Sequence, residues 1–424
     1  MPSHPPSFLV RYNVRRKEPD HDQHDRTEYD DGRPRRRRGA RHARGGLRAP
    51  FLVGTLAIQM GRTMAFGAGD VATAVAGYYA VSALLSPFSG RFVAWCGPAT
   101  ALRLAAAGSM LGLVGVALAG SAAAVVAALT LIGIPNSLVQ PASNQILSGI
   151  GPGRTRAVAF GAVQSAIPAS TLIAGALLAA VGGSSSWRPA VWAVAGLVAA
   201  VQLVIPSGPA AAHRAPRARA YADQEGGGAF AGAVGGPSLV AALVGGAFLA
   251  SIAATTLPSF LAVTGQHAGV SPQVVGAVQM AGSLTCIAAR VIASWSGGRH
   301  QGADSLRVVG MMLAGGALGY VLLGTGSGWG FLVGALAAYG LGWGWNGLFN
   351  LSVTQARPHS IAAVTGLTQG GVFFGGVCGP LLFAAVAGPG RYGPAWYVIA
   401  IAAAASAALI AHARQRWVRG GVVL

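Results

Sequence analysis

The sequence predicts an all-α membrane protein, with twelve transmembrane helices arranged as two six-helix bundles. Three observations carry that expectation. Runs of roughly twenty apolar residues recur from Phe51 to about Ala413, and a bilayer core about 30 Å thick takes about 20 helical residues to cross. Charged residues make up only 10% of the 424-residue chain, against about 25% in a typical soluble domain, and almost all of them lie between the runs. The longest interior polar break, 207–235, separates six runs from six.

Taken in order, the spans are expected at about 49–67, 71–92, 99–119, 122–147, 156–181 and 188–206, then at 236–262, 272–295, 306–325, 329–353, 361–386 and 393–412. Residues 1–48 hold thirteen of the thirty basic side chains mixed with seven acids, the composition of a disordered basic tail. Arg91 and Arg103 flank the gap after span 2, and Arg154 and Arg156 lie at the gap after span 4. The break 207–235 holds Arg214, Arg217 and Arg219, and later gaps on the same side hold Arg299, Arg307 and Arg357. Arg414, Arg416 and Arg419 follow the last span, whereas the opposite gaps hold only Arg188 and Arg391. By the positive-inside rule both termini are then cytoplasmic, in a multi-pass protein of the cell (inner) membrane. The expected domains are a tail (1–48), an N-terminal bundle (49–206), a cytoplasmic linker (207–235), a C-terminal bundle (236–413) and a C-terminal tail (414–424).

The formal charge of +19 does not indicate nucleic-acid binding, because the basic residues form no single patch. Cys96, Cys286 and Cys378 lie too far apart for a disulfide framework or a metal-ligand spacing. A cleaved signal peptide is not expected, since the first apolar run is long and followed by many more. No Ser/His/Asp or Cys/His arrangement, paired carboxylates or phosphate-cradling loop stands out within the spans, so neither catalysis nor a cofactor is expected. Gly and Ala richness with a single lysine, Lys17, fits a high-GC bacterial source.

The two halves repeat one another. Ser86-Pro87-Phe88-Ser89-Gly90-Arg91 ends span 2 as Ser294-Trp295-Ser296-Gly297-Gly298-Arg299 ends span 8. Gly161-Ala162-Val163-Gln164 in span 5 recurs as Gly366-Leu367-Thr368-Gln369 in span 11, at nearly the same shift. Transporters are often built from such repeats, with the binding site between them near the midplane.

With these residues in view the chain resembles the major facilitator superfamily of secondary transporters. The likeness rests on Gly90 to Pro98, on Pro141-Ala142-Ser143-Asn144, on Gly161 to Pro168 and on Gly379-Pro380-Leu381-Leu382-Phe383. The resemblance implies alternating access between two bundles, with spans 1, 4, 7 and 10 lining a central cavity. It also makes Gly90, Arg91 and Gly97, with Gly298 and Arg299 in the second copy, candidate gating-loop residues. The loop departs from the signature Gly-x-x-x-Asp-Arg-x-Gly, because Ala94 and Trp95 replace its acid and arginine and the second copy has Gly298 at the acidic position. The usual charge latch is therefore missing. The link from span 1 to span 2 is short, so span 1 is expected to be tilted or incomplete.

Within the spans the embedded charges are Arg62 and Arg290, with no Asp or Glu beside them. An arginine at a helix centre costs about 2.5–3.5 kcal/mol on insertion scales, and its planar fork suits a carboxylate. The functional reading makes an anionic cargo the counter-charge; the plainer one has the side chains snorkelling to an interface or capping a helix. Ala288-Ala289-Arg290-Val291-Ile292-Ala293 resembles span 8 of monocarboxylate transporters and oxalate:formate antiporters, which implies carboxylate contact by Arg290. In monocarboxylate transporters an Asp stands one turn earlier, where this chain has Cys286. Gln59 shares a face with Arg62 in span 1. Asn136, Gln140 and Asn144 form one stripe in span 4 and Asn346 and Asn350 another in span 10, while Gln164 and Gln369 are the repeated pair. These amides either line the cavity or bond helix to helix. Thr255, Thr256 and Ser259 are weaker candidates, because such hydroxyls often bond their own backbone. Pro135, Pro141, Pro168 and Pro258 are expected to kink their helices near the cavity.

The expected function is secondary transport of a small solute, preferably an organic or inorganic anion, in a lipid bilayer with protons as the candidate coupling ion. Efflux of an apolar drug or secondary metabolite through a cavity lined by Trp343, Trp345, Phe373 and Phe374 is the alternative, and a non-transporting membrane sensor is a second one.

Overall fold

Lipid offers no hydrogen bonds, so a spanning backbone must satisfy its own polar groups, and Ala, Leu, Val and Gly-rich runs do so as helices. The computed structural model describes residues 49–148, 154–181, 186–204, 236–297, 303–356, 361–388 and 390–419. The tail 1–48 and the linker 207–235 lie outside the described residues, as do Gly298, Arg299 and Arg357.

The first half holds α1 (Ala49–Met64), α2 (Ala68–Cys96), α3 (Pro98–Leu118), α4 (Ala122–Ser148), α5 (Arg154–Gln164), α6 (Ala166–Val181) and α7 (Arg188–Val204). The second holds α8 (Gly236–His267), α9 (Pro272–Gly297), α10 (Ala303–Gly324) and α11 (Gly328–Ala337). A π-helical turn (Ala338–Gly342) follows, and then α12 (Asn346–Ala356), α13 (Ile361–Ala387) and α14 (Tyr392–Arg419). The expected fifth span is α5 with α6, and the tenth is α11, the π turn and α12, so twelve expected spans map onto these pieces. Among the described residues nine helical segments are long and apolar enough to cross a membrane. Leu111, Leu131, Leu203 and Ile401 turn outward and are exposed, as a lipid-facing surface requires.

Local chemistry sets the helix ends. The described part of α1 has 16 residues, short of a full crossing, and the turn after it holds Ala65 at φ 53°. The Gly67 N–H donates to Asp70 Oδ2 at 2.8 Å where α2 begins. Gly97 joins α2 to α3 at φ 83°, a left-handed conformation that favours glycine, and Pro98 then starts α3 where no N–H is needed. Helix α14 continues to Arg419, beyond the expected end of the last span at 412. Pro135, Pro141 and Pro258 are carried inside unbroken helices, whereas the chain breaks at Ser165, three residues before Pro168.

Helix α2 packs on α4, α3 on α7, α10 on α14 and α8 on α13 and α14 within the halves. Between halves, α2 meets α13, α5 and α6 meet α9, and α1 meets α8. Spans 2 and 8 correspond in the repeat, as do 5 and 11, so the first two pairings are symmetry mates. Two of these crossings need bare backbone. A Cβ on Gly276 of α9 would fall 2.5 Å from the Ala179 nitrogen of α6, and one on Gly54 would fall 2.6 Å from the Ser259 carbonyl of α8. Small residues permit this approach, and close packing is what holds helices together in lipid.

Candidate substrate cleft

A narrow cleft lies where the halves meet, with a cavity volume of about 20 Å³. That is room for little more than a water molecule, so a larger solute enters only when the halves part. Four of the expected amides border it: Gln140 of α4, Gln164 of α5, Asn346 of α12 and Gln369 of α13. Phe51, Tyr79, Trp343 and Trp345 supply aromatic walls, and Ser251 and Thr255 of α8 lie among them. Phe51 meets Trp343 edge-on at 5.5 Å, which ties the walls of opposite halves together. No acidic side chain borders the cleft among the described residues.

Arg290 stands directly behind this wall and is fully buried. Its guanidinium donates to the main-chain carbonyl of Gln164 in the opposite half, and from Nη2 to the Trp343 carbonyl at 2.9 Å in its own half. It also lies over the Trp343 ring, 5.5 Å from the centroid. Both carbonyls come from breaks in spans. In an α-helix the carbonyl of residue 164 accepts from the N–H of residue 168, but residue 168 is proline and has none. The Trp343 carbonyl belongs to the stretch between the π turn and α12. One cation therefore serves helix-end acceptors of both bundles, the capping arrangement raised above as the plainer alternative. Cys286, one turn earlier, faces the same guanidinium.

The remaining expected residues are distributed differently. Asn144 accepts from Gln140 Nε2 at 3.2 Å, and Asn350 donates to Asn346 Oδ1 at 2.8 Å, so each supports its neighbour from one turn away. Asn136 donates to Ser82 of α2 at 2.8 Å, within the first bundle. Gln59 is fully buried, and neither atom of its amide has a hydrogen-bond partner. Arg62 is exposed at the end of α1, and Gly90 and Arg91 are exposed towards the end of α2. Thr255, Thr256 and Ser259 donate to carbonyls of their own helix. Phe373 is buried near Tyr79, but Phe374 is 59% exposed and pairs with Phe248 outside the cleft.

Sequence reasoning missed Gln279. Its amide Nε2 crosses from α9 to the first half, donating to Thr55 Oγ1 at 2.8 Å and to the Thr171 carbonyl at 3.0 Å. Thr171 and Ser283 hydroxyls meet beside it at 2.8 Å. An embedded glutamine in span 8 was the available signal, of the same kind as Gln59.

A family model described as Major Facilitator Superfamily matches residues 49–380. The chain belongs to that superfamily. This facilitator also matches solved structures of transporters across almost its whole length. One is the human organic anion transporter MFSD10 (TETRAN), with a TM-score of 0.62 at 17% identity, covering 89% of this chain and all of the other. Another is the nucleoside transporter NupG, with a TM-score of 0.62 at 14% identity, covering 86% of this chain and 96% of the other. No match is found among curated protein sequences. At such identities the likeness establishes the architecture of the facilitator, a multi-pass transporter of solutes, and the names of the two matches point to unlike cargoes.

Proposed function

We propose that the chain carries a small organic anion by alternating access, through the cleft between bundles 49–206 and 236–413. The observation behind this reading is the charge inventory around the cleft: Arg290 lies behind two of its lining residues, Gln164 and Trp343, and no acid borders it among the described residues. A guanidinium at an effective dielectric near 20 attracts a carboxylate roughly 8 Å away by about 2 kcal/mol. Attraction through the wall replaces the direct fork contact expected from sequence. The Gln164 bond spans the two halves, so rocking of the bundles breaks it and frees a donor for the cargo.

The arginine-rich gaps on one side support our reading that both termini are cytoplasmic, with 207–235 as a cytoplasmic linker. Among the described residues the acids are Asp70 and Asp304, both in first turns of helices. We therefore favour exchange, uniport or a proton moving with the cargo over a carboxylate relay.

The test is uptake of radiolabelled benzoate, a small planar anion, into proteoliposomes by native protein, Arg290→Ala and Arg290→Lys. The reading expects at least tenfold loss in both variants, and undiminished uptake in both rejects it. A second reading, export of an apolar compound, is favoured by the aromatic walls at Phe51, Tyr79, Trp343 and Trp345. It expects lipophilic cargo to move equally well without the Arg290 charge.

A further inference from the structure

The cleft is polarised by how its amides are already used. Gln140 of α4 donates one Nε2 proton to Asn144, which leaves its carbonyl oxygen without a hydrogen-bond commitment and one N–H beside it. Asn346 of α12 has the opposite commitment: its Oδ1 accepts from Asn350, leaving its N–H pair available. Trp345, the neighbour of Asn346, borders the cleft and is only 1% exposed. Its indole Nε1 has no hydrogen-bond partner. A buried donor left unpaired costs about 1–3 kcal/mol, and an indole N–H can donate but never accept. Trp345 and Asn346 thus bring two uncommitted donors, Nε1–H and Nδ2–H, to the span-10 lining of the cleft, and Gln140 brings an acceptor to the span-4 lining.

We propose that Trp345 is a specificity-determining residue that donates its indole N–H to an oxygen acceptor of the cargo. The carried solute then presents a carbonyl or carboxylate oxygen to Trp345 and Asn346 and turns any donor of its own towards Gln140. This deepens the reading of the cleft as the transport site and rests on it. It is separate from the anion assignment, because a neutral carbonyl satisfies the indole as a carboxylate does.

The experiment uses full-length protein in nanodiscs with ¹⁵N-labelled tryptophan, the Trp345 indole resonance being assigned by its loss in Trp345→Phe. Benzoate and benzamide are titrated in, and uptake of both is measured in proteoliposomes. The expected result is a downfield move of the Trp345 indole proton with both probes, and binding weakened about tenfold in Trp345→Phe, as loss of one such hydrogen bond implies. Movement with benzamide but not benzoate sustains the donor role and removes the anion reading. Uptake of either probe with a stationary Trp345 resonance and unchanged affinity in Trp345→Phe overturns the inference while the cleft stands. Absence of both binding and uptake for the two probes overturns the inference and the cleft together. Trp345→His, which keeps a ring N–H, supplies the assignment and the affinity comparison if Trp345→Phe folds poorly.

Discussion

Arg290 occupies the carbonyl of Gln164 that Pro168 leaves without a helical donor, so a cation of one bundle completes the broken helix of the other. The bond crosses from α9 to the α5–α6 break, where the two repeats face each other.

That relationship predicts coupling between Arg290 and Pro168. Leaving a buried acceptor without its donor costs about 1–3 kcal/mol, and Arg290→Gln, which strands the Gln164 and Trp343 carbonyls, is expected to lower stability on that scale. Pro168→Ala returns an N–H to the Gln164 carbonyl, so the same truncation should cost about 1–2 kcal/mol less in that background. Thermal unfolding in detergent of the native chain, both single variants and the double variant measures the difference. Strict additivity would show that the two positions are not linked.

The α6–α9 crossing predicts a conformational effect from one methyl group. Gly276→Ala places its Cβ against main-chain atoms of Gly175 and Ala179, which can yield only if the helices part. Spin labels on the two helices should report a longer or broader distance, and uptake should fall about tenfold. Gly196 of α7 has open space around the corresponding position, so Gly196→Ala should be neutral or slightly stabilising.

Asn136 and Gln140, neighbours on one stripe of α4, are expected to behave differently. Asn136 bonds Ser82 inside its own bundle, so Asn136→Leu should cost about 0.6 kcal/mol of stability and leave uptake unchanged. Gln140→Leu should spare stability and reduce uptake. Paired thermal and uptake measurements decide between the roles, and the reverse pattern would exchange them.

Arg414 and Asp304 pair at 3.4 Å with side chains 33% and 63% exposed. Such pairs contribute under about 1 kcal/mol. Asp304→Asn is expected to leave unfolding almost unchanged at 0.15 M salt, as a salt series on both proteins would show.

Much of the architecture was legible because lipid imposes a length and a polarity on each crossing. The break at Gly97 falls inside the expected gap 93–98 and that at 119–121 overlaps the expected 120–121, whereas the first comes at 65–67, ahead of the expected 68–70. Two features escaped hydropathy. Span 10 breaks within Ala338–Trp345, where glycines and tryptophans keep the composition apolar while the helix changes its winding. Arg414, Arg416 and Arg419 read as a tail by charge, yet cations suit the C-terminal end of a helix and α14 continues through them. Of the cleft, Gln140, Gln164, Asn346 and Gln369 were readable as embedded amides. Arg290 was readable as a charge without an acid, but its partners are main-chain carbonyls, which no side-chain letter records. Pro168, four residues after Gln164, was the trace in the sequence that one of those carbonyls was vacant.

The π turn at Ala338–Gly342 also fixes an angular register. The wide turn takes up about one residue more than an α-helical turn, so deleting Leu341 would let the segment rewind with Trp345 and Asn346 at nearly their present angle. Rewinding all five residues as α-helix with none removed would instead advance everything downstream by close to one helical residue, about 100°. Trp345 and Asn346 would then rotate off the cleft together, with no change of sequence at all.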